Sequence, residues 1–389
     1  MKTPLFFIVA AFAIGFSAVS LRAQSTWTNG AATGLWSAAA NWSPSGVPST
    51  GTHVIFDNTA TPGSVSLGNT TRQPGSLNLS NTSGSYDIAP GGVSGTLRTS
   101  SIIVSSAGAS NTISARVASA GGADNIVTDT VLSGAGTSTL NISGVIVDQS
   151  SVRYTGFSKT GSGDVTLSGV AANTYSGNSS VSAGTLLLSK TAGVAAISGT
   201  DRASGPAIDP TLTASGAGTV QWVNSNQVLD NVKMALGAGG LFNLNGQSET
   251  VEAFAGSGAV GSRTLTLGSG VLATTAGVSL TSDTTLNLSI TSLASFGQLN
   301  AATTLAAAGT LNVTSAYAFA DGDTFDLFDG TISGTFATTA LPTLGGGLSW
   351  NVANLYTDGS ISVIPEPSTI VLLFLGLIGL CLRAPRFIR

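Results

Sequence analysis

Residues 157–190 read FSKTGSGDVTLSGVAANTYSGNSSVSAGTLLLSK. Val165 and Leu167 alternate with Asp164 and Thr166, and Leu186 and Leu188 alternate with Thr185 and Leu187. A period of two places one side chain inward and the next outward, which is the signature of a half-buried strand. Gly161, Gly163, Gly169, Gly177 and Gly184 separate these runs, together with Asn173, and such residues make turns. The stretch predicts short strands joined at tight corners, with no helix.

The same alternation recurs outward from this unit. Val65–Leu67, Ser76–Leu79, Ile102–Val104, Thr139–Ile142, Leu265–Leu267, Leu286–Leu288 and Leu311–Val313 all read as strands bounded by Gly, Asn, Ser or Asp. The chain has 389 residues, of which 8% are charged and 42% hydrophobic, with 50 glycines. Disordered chains are poor in apolar residues, so this composition predicts an all-β, turn-rich body.

The quoted unit resembles the autotransporter-associated β-strand repeat. The matching positions are Lys159, Gly161, Gly163, Val165, Leu167, Gly169, Asn173, Tyr175, Gly177, Val181, Gly184 and Leu186. Fragments such as Ser215–Val220 and Ala255–Gly258 echo its opening. One such unit cannot bury its apolar face alone, so the resemblance implies rungs stacked as a right-handed parallel β-helix-like solenoid. β-Sandwich domains are the alternative, because the decayed repeats keep no strict period. Trp27, Trp36 and Trp42, leading to Val54–Asp57, are similar to the first rung of such proteins. Thr324–Phe328, Leu348–Trp350 and Leu355–Val363 resemble their closing cap. A solenoid needs both ends covered, so one capped body is expected over residues 24–363.

The two ends read as addresses. Lys2, the apolar run Leu5–Val19 and the small residues before Ala23 predict a signal peptide over residues 1–23, cut between Ala23 and Gln24. At the other end, Pro365 and Pro367 exclude helix, and one C-terminal transmembrane helix is predicted over 369–382, apolar from Ile370 onward. At ~1.5 Å per residue that apolar part spans ~20 Å, against a hydrocarbon core of ~30 Å. Arg383, Arg386 and Arg389 follow, and belong on the cytoplasmic side. Pro365-Glu366-Pro367, an apolar helix and a basic terminus together resemble the PEP-CTERM sorting signal of Gram-negative bacteria, over residues 364–389. The resemblance implies passage through the export machinery, an inner-membrane intermediate, processing by a membrane-embedded exosortase, and a destination in the outer envelope or extracellular matrix.

Chemistry is sparse. His53 is the one histidine and Cys381, in the tail, the one cysteine, so no disulfide ties the body and no Cys/His metal spacing exists. A Ser-His-Asp triad would have to use His53, and no nucleophile elbow accompanies it. Asp321, Asp323 and Asp326 form the densest acidic run and are the calcium candidates, although their spacing departs from an EF-hand loop. The net charge is −4. Five of the fourteen basic residues lie in the two ends (Lys2, Arg22, Arg383, Arg386 and Arg389), against Glu366 alone among the acidic ones, so the body is more acidic still. That excludes nucleic acid as a partner. The expected function is therefore structural: an exported protein of the cell surface or polymer matrix, without catalysis or cofactor. Two alternatives remain. One is a carbohydrate-binding or adhesion module, with exopolysaccharide as partner and Trp27, Trp36, Trp42 and Tyr86 as stacking platforms. The other is a polysaccharide-degrading β-helix enzyme using Arg153 and Lys159 near Asp148 and Asp164.

Overall fold

A computed structural model describes residues 23–105, 109–120, 139–150, 154–199 and 209–366, and the backbone of 128–134. The expected signal peptide through Arg22 and the tail from Pro367 lie outside the described residues. Within them the chain is all-β, a parallel β-solenoid of about eleven turns. The single exception is a one-turn 3-10 helix at Ala39–Asn41. The β-sandwich alternative is thereby excluded.

Strict alternation is what allows the stacking. On one face Leu140, Val165, Leu186, Val220, Phe242, Leu265, Leu286 and Leu311 lie in parallel register, one above the next. All eight are buried. Each such side chain contributes about 1.5–3 kcal/mol by leaving water. A second face stacks Val54, Leu77 and Ile102, then Lys159, Val181, Ala214 and Leu236. A third is built from shorter pairings, among them Val117 with Leu97 and Leu272 with Leu299. The turn length varies from 20 residues (Met234 to Phe254) to 34 (Leu186 to Val220). Insertions at the corners absorb the difference, so the sequence shows no fixed period while the ladders stay in register.

Both ends are closed by antiparallel pairing and aromatic packing. At the N-terminal end Gln24–Trp27 pairs with Trp42–Ser43. Trp27, Trp36, Trp42 and Phe56 pack with ring centroids 4.8 to 5.9 Å apart, and Tyr86 adds to Phe56 at 5.1 Å. The loop crossing this end winds around buried Asn41. Its side chain accepts from Ala31 N (2.8 Å) and donates to Leu35 O (2.9 Å) and Thr33 Oγ1 (3.0 Å). At the C-terminal end a three-stranded antiparallel sheet, Thr324–Asp326, Ser360–Pro365 and Leu348–Asn351, packs its Phe325 and Trp350 against Phe319.

Candidate functional site: the buried polar corners and the C-terminal cap

Lys159 occupies an inward position in the ladder, beneath Val181, and is fully buried. Its stem extends the apolar stack, and Nζ donates at the corner to Gly161 O (2.6 Å), Thr160 O (2.9 Å) and Ala183 O (3.0 Å). Burial pushes the ammonium down to about 8, with Asp164 pulling it back up. Gly184 closes the corner at φ +63°, where a Cβ would lie 2.7 Å from both Gly161 O and Lys159 Nζ. The other repeat residues join neighbouring rungs. Asn173 Oδ1 accepts from Ile146 N (2.9 Å) and its Nδ2 donates to Ala196 O (2.6 Å). Tyr175 packs edge-to-face with Phe157 at 5.8 Å and its hydroxyl meets Ser179 Oγ at 2.8 Å. Gly177 N donates to Thr155 O (2.8 Å). Leu167 and Leu186 stack in the core, Gly169 pairs with Lys190, and Gly163 lies against the Gly184 corner. The repeat motif is thus a set of corner stitches.

Three further buried ionisable residues work in the same way, and none stands out as a motif. Lys190 Nζ donates to Ser168 O (2.8 Å), and burial pushes its ammonium down to about 8. Glu249 Oε2 accepts from Gln227 N (2.6 Å), Trp222 Nε1 (2.7 Å) and Val228 N (3.0 Å), while Oε1 accepts from Thr250 N (3.0 Å). Burial pushes its carboxyl up to about 7 against those four donors. Arg263 donates to Ala259 O (2.6 Å), Leu236 O (2.8 Å) and Ser257 O (2.9 Å) and pairs with Asp283. The Gly261 N–H, then Thr281 and Arg263, hold the Asp283 carboxyl well below its usual range. One sequence signal marks all four. Each lies at inward parity, two residues from a buried apolar one: Phe157, Leu188, Val251 or Leu265.

The other candidates are dispersed. Trp27, Trp36, Trp42 and Tyr86 are at most 2% exposed, so they fill the N-terminal cap and offer no stacking platform for a sugar. His53 Nδ1 is bonded to Ser76 Oγ. Asp148 accepts from Ser176 Oγ (2.6 Å) and Thr155 N (2.7 Å), again joining rungs. Arg153 lies outside the described residues. Among the described residues no three His, Cys, Asp or Glu side chains are grouped to hold a metal ion. Asp323 Oδ2 instead accepts from Ala320 N at 2.8 Å, with Asp321 and Asp326 exposed on either side. At the N-terminal boundary, Gln24 opens the first strand and Ala23 O accepts from His53 N (2.8 Å).

The C-terminal cap runs directly into the tail. Its strand Ser360–Pro365 pairs Val363 with Trp350, Ile364 with Ser349 and Pro365 with Leu348, and Glu366 N donates to Gly347 O (2.8 Å). The folded body therefore extends past Val363 into the first two residues of the Pro-Glu-Pro motif. Among the described residues no helix is long and apolar enough to cross a membrane. The expected helix over 369–382 and Arg383, Arg386 and Arg389 lie outside them.

Residues 363–386 match the PEP-CTERM protein-sorting motif. Residues 157–188 match the passenger-associated-transport-repeat. No curated protein and no solved structure matches the chain. Together the two motifs and the solenoid mark an exported protein of the cell envelope or its exterior, sorted through its C-terminal signal.

Proposed function

We propose that the chain is a structural component of the bacterial cell surface or extracellular polymer matrix. It is delivered by an N-terminal signal peptide and released from the inner membrane by exosortase processing of its tail. The observation that carries this reading is the use of the buried charge. Lys159, Lys190, Glu249 and Arg263 are spent on backbone groups, on Trp222 or on Asp283, and the repeat motif on corners, so the chemistry of the body is that of a rigid spacer. No catalytic step is assigned to it. Cell fractionation with the intact mass of the native protein tests the reading. A chain lacking both ends and recovered outside the inner membrane is expected; a chain recovered in the inner membrane with Arg389 in place refutes the release step.

A second reading, binding of an uncharged exopolysaccharide, is favoured by one outward face. Thr219, Leu241, Thr264, Thr285 and Thr310 form one rank, and Gln221, Asn243, Thr266, Asn287 and Asn312 form the next, polar throughout. Asn312 Nδ2 donates to Asn287 Oδ1 (3.1 Å) and Asn287 Nδ2 to Thr266 Oγ1 (3.0 Å), so these side chains are ordered before any ligand arrives. Saturable co-sedimentation with the host exopolysaccharide, lost in Asn287→Asp/Asn312→Asp, supports this reading; no binding removes it.

A further inference from the structure

We propose that tail processing cuts on the C-terminal side of Glu366, so that Pro365 and Glu366 stay with the body as the end of its cap strand. This rests on the reading of the tail as a processed sorting signal. The strand Ser360–Pro365 is the centre of the cap sheet. On one side Phe325 pairs with Ile361, and Val363 exchanges bonds with Asp323 O (2.8 Å) and Gly322 N (2.9 Å). On the other side the pairing with Leu348–Asn351 continues to Pro365, and Glu366 N reaches Gly347 O. Residues along a strand face alternate neighbours. Val363 faces the Thr324–Asp326 side and Glu366 the Leu348–Asn351 side, so Pro365 faces the former, just beyond the end of that neighbour. A proline fits there because no ladder donor is required of it, and it ends the exposed edge.

A peptidase binds its substrate extended, with residues on both sides of the scissile bond. To cut at or before Ile364 it must draw Val363 and Ile361 into its own site, and both are buried in the cap, at 0% and 1% exposure. A cut beyond Glu366 draws on only the outer end of that strand, the pairing of Pro365 with Leu348 and the bond from Glu366 N to Gly347 O, and leaves the buried Val363 and Ile361 in place. The bond broken is an amide C–N: water supplies the oxygen of the new carboxylate on the body and the proton of the new amine on the tail.

The full-length protein in detergent micelles, digested with proteinase K, gives a first test through the C-terminal peptide of the resistant body. An end at Glu366 or beyond is expected; an end at Ile364 or earlier overturns the proposal. Trp350→Ala loosens the pairing strand, because Trp350 packs on Phe319 at 4.9 Å and bonds to Pro342 O at 2.8 Å. Most of the resistant body should then end before Ser360, and an end that does not move overturns the role given to the cap sheet. In the host, a native C-terminus at Glu366 or just beyond supports the proposal. One at Ile364 or earlier overturns it while leaving the sorting reading intact. A tail retained to Arg389 overturns the sorting reading and the proposal with it.

Discussion

Glu249→Ala should open the middle of the solenoid locally. The carboxylate accepts from three donors of other residues on one oxygen: Trp222 Nε1, Gln227 N and Val228 N, at 2.6 to 3.0 Å. Alanine leaves all three buried and unpaired. Each orphaned donor costs about 1–3 kcal/mol, so the loss is about 3–6 kcal/mol once partial relaxation is allowed for. A solenoid unfolds by rungs, so the suitable assay is amide hydrogen exchange at Gln227 and Val228, which reads local opening directly. A 3 kcal/mol loss is about a hundredfold faster exchange there, with little change on rungs far from the site. The same group sets a pH dependence. Burial raises its folded-state value from 4.5 to about 7, so between those limits the folded chain holds a proton that the unfolded chain has released. Stability from this group is full below pH 4.5 and falls as pH rises to 7, by about 3 kcal/mol at ~1.36 kcal/mol per unit. Glu249→Gln should lose that slope. Unchanged exchange in Glu249→Ala, or an undiminished slope in Glu249→Gln, refutes the reasoning.

Gly184→Ala should lower the melting temperature sharply, by about 1–3 kcal/mol of strain at a left-handed position; its Cβ is also driven against Lys159 Nζ and Gly161 O. Asn173→Ala strips Ile146 N and Ala196 O of their partners and should cost about 2–4 kcal/mol in urea denaturation. For Lys159 and Lys190 the sign is opposite to that for Glu249. Their folded values are lowered from 10.5 to about 8, so the unfolded chain holds the extra protons and stability rises from pH 8 towards 10.5. Thermal melts across that range should show the rise in the wild type and not in Lys159→Met/Lys190→Met.

Much of the architecture was legible because alternation and corner glycines are local. Thr139–Ile142, Leu265–Leu267 and Leu286–Leu288 read as strands and stack as strands. Trp27, Trp36 and Trp42 read as a cap and form one. What escaped depends on register, which strand patterns alone do not encode. A turn of 20 residues and one of 34 look unrelated in sequence although they occupy equivalent rungs. Lys190, Glu249 and Arg263 look like surface charge until the parity of their neighbours is followed inward. Pro365 reads as a breaker ahead of a tail, and only the pairing of Leu348 shows that it ends a strand.

The placement of those charges has a physical logic in a chain so poor in them. Ladders of Leu, Val, Thr and Asn are nearly interchangeable, and a rung displaced by two residues would still bury apolar side chains and expose polar ones. Such a slip is penalised where an ionised group must meet a particular set of partners. Moved by two residues, Lys159 would keep its local bonds to Thr160 O and Gly161 O but lose Ala183 O on the next rung, and Glu249 would lose the donors of Trp222, Gln227 and Val228, leaving a buried charge short of partners. A buried charge of this kind adds little net stability, since its desolvation offsets its bonds. Its effect is to single out one register among several of similar apolar content. The four residues are spread from Lys159 to Arg263, through the middle of the body, far from the aromatic caps that fix register at each end. A long solenoid without disulfides is most exposed to slippage there, and among the described residues that is where most of the buried charge lies.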